Sequence, residues 1–235
     1  TAVSMPTGVT FTSISAGAYH ACALGSDGKA YCWGRDYSGE LGDGGSLPGS
    51  QSTVPVAVAT LEGVSAVVAG FNHSCALTGG VTYCWGDDTL GGVGDGAGGP
   101  SNVLSPVAVS MPEGVSFFAI ATGLSHSCAI ATDSDVYCWG GDSAGELGNG
   151  AGGAAVCVPG LITMPSGASF RSVSASGQHS CARVVGGDIY CWGSDTFGQI
   201  GDGTIGGLPV RDEPYLISAP TGSKSLTVTR SGTGT

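Results

Sequence analysis

The chain has 235 residues, 44 of them glycine, with 7 lysines and arginines against 18 aspartates and glutamates and a net charge of -11. Glycine at well over its usual share of about 7%, but without a three-residue period, excludes collagen. Seven scattered cations cannot neutralise a nucleic-acid backbone, no apolar run reaches the ~18 residues of a membrane span, and the hydrophobic content is enough for a core.

In chain order, residues 1–8 (Thr-Ala-Val-Ser-Met-Pro-Thr-Gly) match residues 107–114 (Val-Ala-Val-Ser-Met-Pro-Glu-Gly). They are expected to form the last strand of a preceding or partner unit. The first full unit, 9–61, reads as β-structure throughout. Ser13–Ala16 is apolar and β-branched, His20–Leu24 alternates large and small side chains, Asp27-Gly28 marks a hairpin turn, Lys29–Trp33 is a further strand, and Pro55–Val58 closes the unit. Three more units follow at 62–114, 115–167 and 168–220. His20, His73, His126 and His179 recur every 53 residues. Tyr-Cys-Trp-Gly recurs with Trp33, Trp85, Trp139 and Trp192, and Asp36, Asp88, Asp142 and Asp195 each precede a glycine by three. Residues 221–235 read as a Ser/Gly/Thr linker or the start of a following β-module, with a strand expected at Ser225–Arg230.

Four strands in about 53 residues suit one blade of a β-propeller, whose related kelch repeat has a period near ~50 residues. The expected fold is all-β: a β-propeller-type array of four four-stranded blades. Gly70-Phe-Asn-His-Ser-Cys-Ala-Leu77 with Val81–Gly86, and Gly123–Ile130 with Val136–Gly148, resemble the repeat of the regulator of chromosome condensation family. The resemblance covers about residues 10–220. It implies a propeller usually of seven blades, so that four blades would be an arc of a larger ring or an open assembly. The paired cysteines resemble the secreted bacterial branch of that family, and the nuclear exchange role of its founding member is not carried over.

A two-residue Gly79-Gly80 loop sets Cys75 directly opposite Cys84. Three-residue loops centred on Asp27, Asp133 and Gly186 do the same for Cys22 with Cys32, Cys128 with Cys138, and Cys181 with Cys191. Opposed Cα atoms about 4.5–5.5 Å apart lie within disulfide range, so four intrablade bridges are expected. The alternatives are eight reduced thiols or a zinc site, and no C-x-x-C supports the latter. Disulfides imply an extracellular or cell-surface location. Cys157 is left over, either as a free thiol or for an intermolecular bond.

The histidines allow a metal reading and a structural one. The structural reading is preferred because each stands at the same strand position, two before a cysteine. The aspartates of the turns (Asp36, Asp88, Asp142, Asp195) are weak calcium candidates, with hydrogen bonding to their own turns as the competing role. The tryptophans are expected to pack between blades. No nucleophile, phosphate-loop or metalloprotease motif appears, and no cofactor is implied. The expected function is non-enzymatic: a scaffold that binds a protein or cell-surface partner through the irregular loops 45–53, 97–105, 151–158 and 204–214. The competing expectations are a subunit assembling with copies of itself into a filament or sheath, and a calcium- or carbohydrate-dependent adhesin.

Overall fold

The computed structural model describes residues 3–45, 50–99, 101–165, 167–204 and 210–217. The strand expected at Ser225–Arg230 and parts of the irregular loops lie outside these residues. Within them the chain is all-β. Sixteen strands form four antiparallel sheets, each built from consecutive strands in simple order.

Blade 1 comprises β1 (Phe11–Ala16), β2 (His20–Gly25), β3 (Ala30–Arg35) and β4 (Gln51–Ala57). Blade 2 holds β5 (Val64–Ala69), β6 (His73–Thr78), β7 (Val81–Asp87) and β8 (Asn102–Ala108). Blade 3 holds β9 (Phe117–Thr122), β10 (His126–Ala131), β11 (Val136–Gly140) and β12 (Val156–Leu161). Blade 4 holds β13 (Phe170–Ser176), β14 (His179–Val184), β15 (Ile189–Ser194) and β16 (Val210–Ile217). Residues 3–8 carry no strand.

The loop chemistry sets the hairpin registers. Gly79 and Gly80, both at positive φ, close a two-residue turn and leave Thr78 facing Val81 and Cys75 facing Cys84. In blade 1 the Gly25 N–H donates to the Lys29 carbonyl across a loop centred on Asp27, which puts Cys22 opposite Cys32. Counting from that bond, the cysteines occupy a non-hydrogen-bonded pair, where opposed Cα atoms come closest. All four bridges form, each with a Cα–Cα distance of 4.1 Å.

The fourth strands begin earlier than their apolar residues suggest: β4 starts at Gln51, not at Pro55. Pro55, Pro106, Pro159 and Pro214 therefore lie inside strands. These strands are the outer edges of their sheets, where a missing N–H costs no ladder bond. Much of what the sequence presents as loop is thus solvent-facing strand.

The core lies between blades rather than within one. One buried cluster joins the Cys22–Cys32 bridge and Leu41 of blade 1 to Val67 and Trp85 of blade 2. A second joins Cys75, Cys84 and Val93 to Phe117 and Trp139, and a third joins Cys128, Cys138 and Leu147 to Phe170 and Trp192. The disulfides of blades 1 to 3 therefore pack in the same layer as the next blade's tryptophan.

Candidate functional site

The recurring polar residues meet at the three blade junctions. His20 Nε2 lies 2.7 Å from Ser74 Oγ, His73 Nε2 2.9 Å from Ser127 Oγ, and His126 Nε2 2.8 Å from Ser180 Oγ. Each serine belongs to the following blade. Its hydroxyl donates to a main-chain carbonyl of the preceding blade: Glu40 at 3.0 Å, Gly92 at 2.9 Å and Glu146 at 3.3 Å. The same three carbonyls accept the indole N–H of Trp85, Trp139 and Trp192.

Since the serine proton goes to the carbonyl, the serine must accept from the histidine. This places a ring proton on Nε2 of each. Burial pushes the imidazoles down, His20 and His73 to about 4 and His126 to about 3, with the cost of charging two rings close together adding to the effect at His20 and His126, and the Arg35 guanidinium at His20. His179, with no described partner on its far side, is half-buried and is also lowered by burial.

The turn carboxylates work locally. Asp36, Asp88, Asp142 and Asp195 each accept the main-chain N–H five residues on, from Leu41, Val93, Leu147 and Ile200, at 3.0–3.1 Å. Burial raises the pKa of the first three. Asp43, Asp95, Asn149 and Asp202 accept the N–H two residues on. Among the described residues no three His, Cys, Asp or Glu side chains gather as a metal set. Cys157 is free and partly buried, its thiol against Gly91 and Gly98 of the preceding blade, as Leu104 lies against Gly39 one junction earlier.

The turns between first and second strands and those between third and fourth strands emerge at one end of the blades. Here the repeats differ. Arg35 lies over the ring of Tyr19 at 4.2 Å and near that of Tyr37 at 5.8 Å. Its Nε donates to the buried Glu40 carboxylate at 2.8 Å, and a second nitrogen donates to Asn72. Tyr19 meets Phe71 of the next blade edge-on at 5.2 Å. Tyr37 is 52% exposed, Leu90 44% and Phe197 86%. A cleft of about 480 Å³ lies between Tyr19, Trp33, Arg35, Tyr37 and Thr53, and one of about 250 Å³ between Asn72, Thr89, Leu90 and Leu124. The irregular loops 45–53, 97–105, 151–158 and 204–214 run from the third strands into the fourth, at this same end; the short turns beside them were not singled out from sequence. The signal was present in the variation between Ala18-Tyr19, Phe71-Asn72 and Leu124-Ser125 just before an unvarying histidine.

The family model described as the regulator of chromosome condensation (RCC1) repeat matches residues 27–77, 79–130 and 133–183, and a second RCC1 repeat model matches 11–40, 119–146 and 170–199. The ultraviolet-B receptor UVR8 of Arabidopsis thaliana is 29% identical over 199 residues, covering 83% of this chain and 44% of the receptor. The human E3 ubiquitin-protein ligase HERC2 is 26% identical over 222 residues, 92% of this chain but 4% of the ligase. Among solved structures, Prp20p of Saccharomyces cerevisiae, characterised for binding Gsp1p and histones, superposes with a TM-score of 0.80 at 23% identity, covering 93% of this chain and 52% of that one. Human WBSCR16 superposes at 0.78 and 22% identity, covering 91% and 54%. The chain thus spans about half the length of these solved relatives.

Proposed function

Because the chain belongs to the regulator of chromosome condensation repeat family, we propose that it is a non-enzymatic scaffold that binds a protein partner through the turn end of its blades. One observation carries this reading: the residues that recur are tied together inside the junctions, and those that differ from blade to blade are exposed at one end. Tyr19, Tyr37, Leu90 and Phe197 supply the aromatic and apolar contacts that dominate protein interfaces. The binding of Gsp1p and histones by Prp20p supports a recognition role for propellers of this kind. Catalysis by the His–Ser pairs is disfavoured physically. The serines are fully buried, and their protons are committed to main-chain carbonyls. Four disulfides favour an extracellular or cell-surface setting.

The test is affinity capture from the extracellular protein of the source organism, with wild type against Tyr37→Ala/Leu90→Ser. The double variant should lose the captured partner while keeping its thermal midpoint. A partner retained by this variant but lost on changing the opposite hairpins, at Asp27 and Asp133, would overturn the reading.

A further inference from the structure

The junctions inside the array treat one slot in different ways. Between blades 1 and 2 the chain fills it with its own cation. The Arg35 guanidinium lies over Tyr19 at 4.2 Å, donates through Nε to the buried Glu40 carboxylate at 2.8 Å, and donates to the Asn72 amide oxygen of the next blade. One repeat later the residue after Trp-Gly is Asp87 in place of Arg35, and Gly92 stands in place of Glu40. Here the slot is open, as the cleft of about 250 Å³ between blades 2 and 3. Its walls Asn72, Thr89, Leu124 and Ser125 are the repeat counterparts of Tyr19, Tyr37, Phe71 and Asn72, the groups that surround Arg35. Between blades 3 and 4 the same position is Gly141, and Gln178 spans the junction to donate to Ser143 Oγ at 3.1 Å. The second slot thus lacks a resident cation and carries a carboxylate.

The chemistry of this cleft suits a long cationic side chain. Asp87 Oδ1 accepts the N–H and the hydroxyl of Thr89, whereas among the described residues Oδ2 receives only the Asn72 amide, at 3.4 Å. The carboxylate lines the cleft and keeps capacity for a further donor. Leu90 and Leu124 supply the apolar walls. Lysine and arginine carry an apolar stem under a charged head, which matches that division. The volume falls below the ~300 Å³ at which sites for small organic ligands begin, and one side chain fits it better. The net charge of -11 attracts basic segments to the surface as a whole.

We propose that the cleft between blades 2 and 3 receives a lysine or arginine side chain from a basic segment of the protein partner, its stem between Leu90 and Leu124 and its charge on Asp87. This rests on the partner-binding reading above and adds the chemistry of the partner. Arg35 is the internal precedent: what the chain supplies to one junction, the partner supplies to the next.

The test is an NMR titration of the unreduced, isotope-labelled full chain with capped Gly-X-Gly peptides, where X is lysine, arginine, norleucine or glutamate. The lysine and arginine peptides should shift the amides of Asp87, Leu90 and Leu124. They should bind about fivefold more tightly than the norleucine peptide, which keeps a stem without the charge. Asp87→Asn, which retains an acceptor for Thr89, should bring them down to the norleucine level. Cationic peptides that leave these amides unmoved, that bind no better than norleucine or glutamate, or that bind Asp87→Asn as they bind wild type, overturn the proposal. In the affinity capture, Asp87→Asn should retain several-fold less partner. Equal retention overturns the proposal and leaves the scaffold reading standing. A wild type that captures nothing through the turn end overturns that reading and the partner assignment with it, even where the peptides bind.

Discussion

Ser127 makes two hydrogen bonds across one junction, accepting from His73 and donating to the Gly92 carbonyl. Removing its oxygen leaves the buried His73 Nε2–H without an acceptor, whereas the carbonyl keeps Trp139. Ser127→Ala should therefore cost about 1–3 kcal/mol, the penalty for orphaning a buried donor, measured by urea unfolding; a loss below about 0.5 kcal/mol would contradict the assigned direction of the bond. The same histidines set a pH dependence. Their folded pKa values, about 4 for His20 and His73 and about 3 for His126, lie below the unfolded value of 6.5. As pH falls through the unfolded value, the unfolded chain takes up protons that the folded one refuses. Stability contributed by the neutral rings is thus full above about pH 7 and declines until the folded values are reached. The raised carboxyls of Asp36, Asp88 and Asp142 act in the opposite direction, but only on approach to the carboxylate range. The thermal midpoint should fall between pH 7 and pH 5, and a flat or rising profile would show that the histidines are not buried neutral. Because the turn carboxylates are engaged by main-chain N–H groups, a chelator or added calcium should leave that midpoint unchanged. A calcium-dependent rise would revive the adhesin reading.

Each hairpin is stapled across adjacent strands, with the two cysteines 9 or 10 positions apart in sequence. Loops this short give roughly 3 kcal/mol or less of stabilisation per bridge. Intact mass should rise by about eight units on full reduction, and alkylation of the unfolded, unreduced chain should label Cys157 alone. More than one labelled cysteine would remove the pairing. These bridges were legible in the sequence because loop length alone fixes which residues of a hairpin face each other. Two other element-level features were not. The start of the fourth strand at Gln51 is hidden because an outer edge strand facing solvent has no apolar alternation to betray it. The serine partners of His20, His73 and His126 are hidden because each lies 54 residues away, while the serine beside His73 and His126 in sequence points to the other face of the strand. A bond between repeats leaves no mark inside one repeat.

At the scale of the whole molecule, burial peaks in the second and third strands of each blade and in the middle blades, and β1 is as open as the outer strands. β10 is buried at every residue, whereas β4 and β16 have no fully buried residue. Amide exchange should therefore be slowest in the second and third strands, with the outer strands β4, β8, β12 and β16 exchanging early. Loss of protection one whole blade at a time would indicate that the blades open as independent units instead. The interblade core and the four-sheet architecture could be read from the period. The hydrogen bonds that tie one blade to the next could not, because each joins side chains 54 residues apart.

The disulfides have a consequence of another kind. Eight half-cystines could in principle connect in 105 ways, yet every bond here joins neighbours on one hairpin. A hairpin can oxidise as soon as it forms, before the rest of the chain has folded, so shuffling by an isomerase has little to correct. The same locality applies to the gene. Duplicating or deleting one 53-residue unit adds or removes a complete cystine and strands no thiol. Such a chain can change its blade number by recombination without passing through an oxidatively misfolded ancestor.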